Sequence, residues 1–456
     1  MIRMSLSHVA AALEGRLLGG DASFVAVSTD SRHLAPGELF VALTGPRFDG
    51  NDYVGQAAVH GAVAAVVSRP VDVAMPCLLV PDTRVALGRL AALWRAACPA
   101  RVVAVTGSNG KTTLKEMIAA ILRECGPVLS TSGNLNNDVG VPLTLLRLQD
   151  EPFAVIEMGA NHLGEIRYLS DLARPDVAVL NNAGRAHLEG FGSTENVARG
   201  KAEIITGLQP RGTFVYNADS PWAPLWRDLA AGRNCLSFGI EAAADVTSPG
   251  SARLDWTDRG FHNRFAVRAG DDAVEVELAL AGAHNRSNAL AAATAALALG
   301  CTLGQVRAGL ARFEPVSGRL KPLRRADGAW VIDDSYNANP DSVAAAIAVL
   351  AAAPGRKVIV IGDLAELGPD GAALHAGIGS QARAAGLDAL YTVGAGSAAA
   401  SHAFGAGARH FADQSALIDA LGREVGPGDV VLVKGSRSAG MERVVAALTT
   451  EESVRC

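Results

Sequence analysis

Short apolar runs alternate with amphipathic helical patterns along most of the chain. Six of these runs each end in a polar cluster rich in Asn, Gly, Asp or Ser. They are 102–106, 153–156, 177–180, 330–332, 358–361 and 430–433. Buried parallel strands read as continuous apolar runs, and ligands of open α/β sheets lie beyond the carboxyl ends of such strands. The pattern therefore predicts an α/β fold in which polar strand ends from two domains face one cleft.

The pattern and the length of 456 residues predict three domains. The first, 1–98, is predicted to start with an amphipathic helix within the first 20 residues, capped by Ser5 or Ser7, and to end with a linker helix at about 83–97. The second domain is predicted to span 99–315 and the third 316–456. No internal repeat interrupts this division.

The most informative segment is Thr-Gly-Ser-Asn-Gly-Lys-Thr-Thr at 106–113, which follows an apolar run and precedes a helical pattern. A glycine loop between a strand and a helix lets backbone amides approach phosphate oxygens, and the helix N-terminus favours negative charge. Lys111 would add a point charge, and the Thr112 hydroxyl would reach a magnesium ion. The loop is short, because Val105 stands where a usual P-loop has its first glycine. The segment predicts nucleotide binding, with an ordinary glycine turn as the alternative.

Composition limits the functional classes. Hydrophobic residues make up 49% of the chain and charged residues 19%, which indicates large buried cores. The net charge of −5 supplies no basic field for nucleic acid. The sequence contains no run of 18 apolar residues, so it predicts no membrane-spanning helix. The six cysteines form no CxxC pair, which is typical of reduced thiols in a cytoplasmic protein. Only six of the 41 basic residues are lysines, so a lysine is expected where a compact ammonium or a neutral amine is needed.

Three residues are candidates for a metal site near the glycine loop. Glu157 follows a predicted strand, and a carboxylate there suits magnesium better than the alternative role of a helix cap. His187 also lies at a strand end, but imidazole is not a typical magnesium ligand, so a structural histidine is an equal alternative. Lys201 lies in a predicted helix at 194–208, where the charge pattern alone favours a solvated lysine.

Other residues are candidates for nucleotide contacts. The Asn288 amide offers the paired donor and acceptor that an adenine edge requires, whereas Asn285 or Ser287 could simply cap the following helix. Arg319 could reach a γ-phosphate, although most arginines of this chain are expected at the surface. Two polar turns of the first domain could hold a diphosphate or could be ordinary turns. These turns are 28–32 and 44–50.

Taken together, these segments resemble the Mur ligases, a family of ATP-dependent amide-forming enzymes of peptidoglycan precursor synthesis, over essentially the whole chain. The compact form of the loop at 106–113 is the family's own. The resemblance implies a small α/β uridine-nucleotide-binding domain, a central P-loop-type parallel-sheet ATPase domain and a C-terminal Rossmann-like α/β domain. It also implies ATP and two magnesium ions as cofactors.

The resemblance assigns roles to individual residues. The implied catalytic residues are Lys111, Glu157, His187, Lys201 and Arg319, and the implied magnesium ligands are Thr112, Glu157, His187 and Lys201. The family's lysine is carbamylated, which replaces the solvated interpretation of Lys201, because a carbamate supplies the anionic oxygen that a hard cation prefers. The implied ATP contacts are Thr106, Gly107, Ser108, Asn109, Gly110, Lys111, Thr112, Thr113, His284, Asn285, Asn288, Arg319, Asp334, Tyr336, Asn337 and Asn339. The implied substrate contacts are Ser31, Arg32, Arg47, Asp49, Gly50, Asn134, Asn136 and Asn137.

Two segments indicate which subgroup of the family the chain resembles. The sequences at 133–144 and 334–342 are similar to members that add a D-alanyl-D-alanine dipeptide, and the Asp-Asn-Pro-Arg motif of the members that add the third residue is absent. Folylpolyglutamate synthetases share the ATP motifs, but their glycine loop lies nearer the N-terminus than the loop at 106–113. One departure is Asn51, where relatives commonly carry histidine.

The implied partners are UDP-N-acetylmuramoyl-tripeptide and D-alanyl-D-alanine, and we expect a cytoplasmic monomer that binds neither nucleic acid nor membrane. In the implied reaction, the tripeptide carboxylate attacks the γ-phosphate of ATP, and the dipeptide amine then displaces phosphate from the acyl phosphate. A ligase that adds a single amino acid is the nearest alternative. A non-catalytic ATP-binding switch is the other, and it would lack the metal set at positions 157, 187 and 201.

Overall fold

The computed structural model of the chain describes residues 3–185, 188–258 and 260–449. Its three main sheets are each formed by one stretch of the chain, with five strands between 16 and 79, ten between 101 and 278 and six between 321 and 434. The predicted α/β fold class is confirmed. The predicted domain limits at 98/99 and 315/316 fall between the sheets and stay predictions.

The first sheet is mostly parallel and carries short helices. Its region contains the strands β1 (Met4–Ser5), β2 (Arg16–Leu18), β3 (Ser23–Phe24), β4 (Ala26–Ser28), β5 (Glu38–Val41), β6 (Thr44–Gly45), β7 (Phe48–Asp49), β8 (Ala64–Val67) and β9 (Cys77–Leu79). Its helices are α1 (Leu6–Ala10), a 3₁₀ turn (Gly50–Tyr53), α2 (Val54–Val59) and α3 (Thr83–Ala97). The sheet order is β2-β9-β8-β5-β4.

The two predicted helices of this region have different outcomes. The N-terminal helix is much shorter than expected, because α1 ends at Ala10, Glu14 takes a positive φ of 53°, and β2 follows. Ser5 caps α1 as predicted, since its hydroxyl accepts a hydrogen bond from the His8 amide. The linker helix α3 has the predicted bounds, and the Asp82 side chain caps it.

Helix α3 ties the first domain to the second. Its buried Leu90 and Trp94 share a core with Val102 and Ala104 of the next strand. The Trp94 indole N–H also donates to the Leu148 carbonyl, at 2.8 Å. The end of the first domain is therefore packed on the central sheet.

The central domain is a ten-stranded sheet with helices on both faces. Its strands are β10 (Arg101–Thr106), β11 (Val128–Ser130), β12 (Phe153–Glu157), β13 (Val177–Leu180), β14 (Thr213–Asn217), β15 (Asn234–Gly239), β16 (Val246–Thr247), β17 (Arg253–Thr257), β18 (Gly260–Ala269) and β19 (Asp272–Leu278). Its helices are α4 (Lys111–Leu122), α5 (Gly140–Leu145), α6 (Glu165–Ala173), α7 (Leu188–Phe191), α8 (Thr194–Ala202), a 3₁₀ turn (Glu203–Ile205), α9 (Ala223–Leu229), α10 (Ala283–Ala298) and α11 (Leu303–Ala311).

The order of this sheet positions the glycine loop. Seven strands run parallel in the order β11-β12-β10-β13-β14-β15-β16, and β17, β18 and β19 add an antiparallel extension that the apolar pattern did not predict. Strand β10 lies at an inner position, and its alternate residues enter opposite cores. Val103 and Val105 pack on the side of α4 and α10, so the N-terminal ends of these two helices lie together above the sheet.

Two predicted helices of the central domain differ in detail. The helix predicted at 194–208 ends at Ala202 and continues only as a 3₁₀ turn. Helix α10 starts at Ala283 after its N-cap Gly282, so Asn285 and Ser287 lie within the helix, and the capping interpretation of these two residues is wrong. The Asn285 amide instead donates to the Ala281 carbonyl, at 2.9 Å.

The third domain is a six-stranded sheet in the order β20-β21-β25-β22-β23-β24, parallel except for β20. Its strands are β20 (Lys321–Arg324), β21 (Trp330–Asp334), β22 (Lys357–Gly362), β23 (Ala389–Val393), β24 (Ala408–Phe411) and β25 (Val430–Lys434). Its helices are α12 (Pro340–Ala351), a 3₁₀ turn (Gly368–Asp370), α13 (Gly371–Ala384), α14 (Ala398–Phe404), α15 (Gln414–Glu424), a 3₁₀ turn (Arg437–Ala439) and α16 (Glu442–Thr449). No helix in the described parts of the chain is both long and apolar enough to span a bilayer.

Candidate active site

A cavity of about 1390 Å³ lies where the central sheet faces the third domain. Most of the predicted site residues line it. They are Ser108, Asn109, Gly110, Lys111, Thr112, Thr113, Asn134, Asn136, Asn137, Glu157, His284, Asn285, Asn288, Arg319, Asp334, Tyr336, Asn337 and Asn339. The predicted cleft between two domains is therefore present, with polar strand ends from both domains on its walls.

The glycine loop lies between β10 and α4, as predicted. Gly110 precedes the helix with φ 76°, and a Cβ there would lie 2.8 Å from Asn288 Oδ1, so both conformation and space require glycine. The first backbone hydrogen bond of α4 runs from the Leu114 amide to the Gly110 carbonyl, at 2.8 Å. The amides of the first turn therefore have no helical partner and can bind an anion.

Asn182, which follows β13, holds the loop in shape. The Asn182 carbonyl accepts from the Ser108 amide at 3.1 Å, and its side-chain oxygen accepts from the Asn109 amide at 2.8 Å. Neighbouring Asn181 donates from Nδ2 to the Asn109 carbonyl at 3.1 Å. Neither asparagine was predicted as a site residue, although both belong to a polar cluster that follows an apolar run.

Lys111 lies on the glycine-loop wall of the cavity. Its ammonium group donates to the Gly107 carbonyl at 2.8 Å and to the Ser108 carbonyl at 3.4 Å. Burial lowers the pKa of Lys111, the Glu157 carboxylate opposes this effect, and the Arg319 guanidinium reinforces it. These three charges thus act on one another across the cavity, although they come from two domains.

Glu157 is the last residue of β12 and pairs in register with Val105, which places it beside the glycine loop. Its Oε1 accepts a hydrogen bond from Asn136 Nδ2 at 2.8 Å. Its Oε2 is buried and has no hydrogen-bond partner within the described residues. A buried carboxylate oxygen without a partner is costly, and a divalent cation would satisfy it. The residues present therefore fit a magnesium ion.

Lys201 lies one layer behind the cavity wall. The side chain is 1% exposed, and its amine donates to the carbonyl of the wall residue Ala160 at 3.1 Å. Burial, with a smaller contribution from the charge of Lys111, lowers the pKa of Lys201 to about 7. The solvated interpretation of this lysine is wrong, and its buried surroundings favour the neutral form of the amine.

The third predicted metal position cannot be placed in the same way, because His187 lies outside the described residues. In the described ranges, no group of three or more His, Cys, Asp or Glu side chains has metal-binding geometry. Any metal ligand set here must therefore combine Glu157 with ligands of other kinds or with His187.

The start of α10 forms the wall next to the glycine loop. Asn288 Oδ1 accepts from Asn181 at 2.8 Å, and its Nδ2 donates to Asn285 Oδ1 at 3.1 Å. The Asn288 amide therefore accepts one hydrogen bond and donates one within the protein, and its side chain lies against Gly110. His284 is half-buried on the same wall, and desolvation lowers its pKa to about 4, so its imidazole is neutral at neutral pH.

The third domain contributes two arginines around one aromatic ring. The Arg319 guanidinium lies 4.1 Å from the ring centre of Tyr336, and the Arg437 guanidinium lies 5.4 Å from it. Gly318 takes a φ of 75°, and a Cβ there would lie 2.8 Å from the Tyr336 Cβ, so glycine is required for this approach. The Tyr336 ring holds Arg319 on the cavity wall opposite Lys111.

A buried ion pair supports the same wall. Lys434, at the end of β25, donates to Asp334 Oδ2 at 2.6 Å and to the Asn337 carbonyl at 3.0 Å. Burial raises the pKa of Asp334 and lowers the pKa of Lys434, while each charge opposes the shift of the other. Lys434 was not among the predicted site residues, and its position in a polar cluster after an apolar run was the available signal.

Two direct contacts join the third domain to the glycine-loop side. Asn339 Nδ2 donates to Asn109 Oδ1 at 2.7 Å. Arg185, in the segment after β13, binds Asp341 with its backbone amide at 2.8 Å and with its guanidinium at 2.8 and 3.0 Å. The first turn of α12 is thereby held against the segments that shape the glycine loop. Arg185 and Asp341 were not predicted as site residues.

Several predicted residues are not brought to the cavity. Thr106 and Gly107 lie beneath the loop, and the Thr106 hydroxyl donates to the Met158 carbonyl at 2.9 Å. The first-domain candidates do not line the cavity either, and these are Ser31, Arg32, Arg47, Asp49 and Gly50.

The first-domain candidates instead make contacts within their own domain. Ser31 donates to Gln56 Oε1 at 2.8 Å, and Arg32 forms a bidentate pair with Asp30. Asp49 accepts from the amide of Asn51, the residue that departs from the family pattern. Arg47 is exposed, and Gly50 is buried against the Leu43 carbonyl.

Replacing Lys434 by methionine is expected to lower the free energy of unfolding by about 3 kcal/mol, because the Asp334 carboxylate would remain buried without its cation. Urea unfolding measures the change. Arg253→Met is the matched control, since its ion pair with Asp255 is 72% and 35% exposed and should contribute less than about 1 kcal/mol. The double variant Asp334→Asn/Lys434→Met should recover part of the loss, and a double variant less stable than Lys434→Met would contradict the pairing argument.

Comparison with known families finds three matches in chain order. The Mur ligase family, catalytic domain, matches 23–95, the Mur ligase middle domain matches 105–296, and the Mur ligase, glutamate ligase domain, matches 318–437. The three matched segments together cover most of the chain.

Individual proteins are similar over the whole length. UDP-N-acetylmuramoyl-tripeptide–D-alanyl-D-alanine ligase of Escherichia coli (strain K12) is 48% identical over 98% of this chain and 99% of its own. The crystal structure of MurF from Acinetobacter baumannii is 36% identical, with a TM-score of 0.91 over 98% of this chain and 99% of that chain. MurF ligase from Thermotoga maritima in complex with ADP is 31% identical, with a TM-score of 0.83 over 93% of this chain and 96% of that chain.

Proposed function

The chain belongs to the Mur ligase family, and on that premise we propose that it joins D-alanyl-D-alanine to UDP-N-acetylmuramoyl-tripeptide in a reaction that converts ATP to ADP and phosphate. The product is UDP-N-acetylmuramoyl-pentapeptide, released with ADP and phosphate. The tripeptide's terminal carboxylate attacks the γ-phosphate of ATP to give an acyl phosphate. The dipeptide amine then attacks the acyl carbon, and phosphate leaves through a tetrahedral intermediate.

The observation that carries this proposal is the single cavity shared by the glycine loop and the third domain. Lys111 and the first-turn amides of α4 lie on one wall, and Arg319 and Asn339 lie on the other. The reaction brings a carboxylate towards a triphosphate, so its main physical requirement is charge neutralisation and alignment of two anions. Cations on opposite walls meet that requirement, and about 1390 Å³ leaves room for a nucleotide together with peptide.

We assign the phosphate contacts to the glycine-loop side. The amides of the first turn of α4 would bind the β- and γ-phosphate oxygens, and Lys111 would turn from the loop carbonyls to the phosphates. Arg319 would contact the γ-phosphate from the third domain, and the Tyr336 ring would fix the orientation of its guanidinium. His284, with its neutral imidazole, would contact the base without adding charge.

We propose that two magnesium ions are held at this site by Thr112, Glu157, His187 and carbamylated Lys201. The partnerless Glu157 Oε2 and the buried Lys201 amine with its lowered pKa support this assignment. When bound, magnesium neutralises phosphate charge. The chain itself orients the ligands. A hydrogen bond from Asn136 fixes the Glu157 carboxylate, and a hydrogen bond to the Ala160 carbonyl fixes the Lys201 amine.

The first domain is proposed to bind the uridine diphosphate part of the substrate through Ser31, Arg32, Arg47, Asp49 and Gly50. The exposed Arg47 is an available cation for a diphosphate, and the exposed Arg32 would exchange its pair with Asp30 for the diphosphate. Asn134 and Asn137 line the cavity and are proposed to contact the peptide part. We further propose that the enzyme works as a monomer in the cytoplasm. The free thiols at positions 77, 98, 125, 235 and 301 support a reducing compartment.

The test is release of ADP from ATP with matched combinations of substrates. We expect ADP when UDP-N-acetylmuramoyl-tripeptide and D-alanyl-D-alanine are both present, and only background when either is omitted. D-Alanine, D-glutamate and L-lysine each replace the dipeptide in the control reactions. ADP release with a single amino acid at a rate equal to that with the dipeptide would favour the single-residue ligase instead. ADP release at the same rate with and without the two substrates would favour an ATP-binding switch.

A further inference from the structure

Two cysteine thiols are in contact far from the cavity. The sulfur atoms of Cys125 and Cys301 lie 3.2 Å apart. Cys125 is exposed, in the turn after α4, whereas Cys301 is buried, between α10 and α11. Both are free thiols, as are the separate cysteines 77, 98 and 235.

The backbone on both sides of this contact is fixed. The Cys125 amide donates to the Leu122 carbonyl at 2.8 Å, and the Cys301 amide donates to the Ala296 carbonyl at 3.0 Å, so each cysteine closes the last turn of its helix. The two helices share one apolar core. Arg101 adds a bond from Nη1 to the Leu299 carbonyl, at 2.8 Å. The sulfur contact is therefore set by packed helix ends and not by a loose loop.

An ion pair closes the other side of the contact. Arg312 follows α11, and its guanidinium binds the Glu124 carboxylate at 2.5 Å. Glu124 directly precedes Cys125, so α11 also holds this turn in place. A disulfide bond requires the two sulfur atoms to approach from 3.2 Å to about 2.05 Å, which is a movement of about 1 Å.

We propose that Cys125 and Cys301 form a reversible oxidation site, at which hydrogen peroxide closes an intramolecular disulfide. Cys125 loses its proton to solvent, its thiolate attacks one peroxide oxygen, and the O–O bond breaks to give a sulfenic acid and hydroxide, which takes up a proton to form water. The Cys301 sulfur then attacks the sulfenic sulfur, the S–O bond breaks, and hydroxide leaves and takes the Cys301 proton. The two thiols lose two electrons, the peroxide oxygens gain them, and the products are one disulfide and two water molecules.

The order of the two steps follows from the surroundings of each sulfur. Cys125 is exposed and accessible to peroxide, whereas Cys301 is buried behind it. Burial, with the neighbouring Cys125 sulfur, raises the pKa of Cys301 and keeps that thiol protonated at neutral pH. Cys125 therefore reacts first, and Cys301 resolves the sulfenic acid.

The disulfide would act on stability and leave the cavity unchanged. It would join the C-terminal ends of α4 and α10, and the 12 residues of α4 place this bond about 18 Å from the glycine loop. It would also close a covalent loop through most of the central sheet, which restricts the unfolded chain. The oxidised enzyme should keep its turnover and resist heating.

Peptide mapping of the full-length oxidised chain tests the proposal directly. The reduced protein is treated with hydrogen peroxide, free thiols are alkylated, and the chain is digested without reductant. We expect a linked peptide pair containing positions 125 and 301, the loss of two of six free thiols, and recovery of both with dithiothreitol. The melting temperature of the oxidised form should rise by about 5 °C or more. Sulfenic or sulfinic acid at Cys125 without the linked pair would overturn the proposal.

Single substitutions provide the matched controls. Cys235→Ser removes another exposed thiol and should leave the linked pair and the rise in melting temperature intact. Cys125→Ser and Cys301→Ser should each abolish both, and Cys301→Ala replaces the second variant if serine prevents folding. A linked pair that involves Cys235, or a wild-type melting temperature that does not change, would contradict the assignment. The peptide map does not depend on turnover, so it stands apart from the test of the ligase reaction.

Discussion

Replacing Lys111 by alanine is expected to reduce the kcat of ligation about 10³-fold. The ammonium group lies on the glycine-loop wall of the cavity, within the field of both Glu157 and Arg319. Charge on the γ-phosphate oxygens is redistributed as the carboxylate attacks, so a cation at this position acts mainly in the transition state. The KM for ATP should therefore change much less than kcat. Steady-state ADP release at several ATP concentrations separates the two effects.

Arg123→Ala is the control for this variant, because Arg123 is an exposed cation at the other end of the same helix. It should keep kcat within about twofold of the unmodified chain, since exposed charges far from a site are screened. A Lys111→Ala protein with unchanged kcat and a raised KM would show that Lys111 only binds ATP, and its proposed role in the chemical step would be wrong.

Replacing Lys201 by alanine is expected to reduce turnover about 100-fold. The side chain is buried one layer behind the wall, where neither a solvated charge nor a surface ion pair explains it. Its lowered pKa leaves neutral amine, the form that adds CO₂, and the product would be an anionic oxygen ligand for magnesium. Acetate or formate should partly restore turnover in the variant, because a small carboxylate can occupy the space of the missing carbamate.

Arg199→Ala is the matched control on the same helix. Its guanidinium pairs with Glu195 at the surface, so the substitution should not change turnover, with or without acetate. Restoration of Lys201→Ala by chloride as effectively as by acetate would argue against a carboxylate-like ligand. Full activity of the variant without any additive would remove Lys201 from the site.

The sequence predicted local elements well where a local cause determines them. The β13 run at 177–180 and helix α3 at 83–97 have the predicted bounds, because a continuous apolar run and a helical pattern are each read from adjacent residues. The glycine loop was equally clear, since strand, glycines and helix follow one another. The N-terminal helix failed because its apolar spacing continues past the residue where the backbone turns, Glu14.

The parts that could not be predicted depend on contacts between distant segments. Nothing near Asn109 in the sequence indicates Asn339, and nothing near Arg185 indicates Asp341, because these pairs form only when the third domain packs on the central one. The Lys434 ion pair requires the register of β21 with β25. Likewise, the charge pattern around Lys201 suggests a solvated helix face, and only the packing of the helix shows that this position is buried.

In the proposed reaction ATP activates the carboxylate of the tripeptide, and the transfer of a carboxylate oxygen to phosphate reports on this step. UDP-N-acetylmuramoyl-tripeptide labelled with ¹⁸O in its terminal carboxylate is incubated with ATP, magnesium and D-alanyl-D-alanine. The released phosphate is then analysed by mass spectrometry. Because an acyl phosphate leaves one carboxylate oxygen on phosphorus, the phosphate should carry one ¹⁸O atom per turnover. If the pentapeptide product forms in full yield and the released phosphate contains no ¹⁸O, the acyl-phosphate mechanism is wrong.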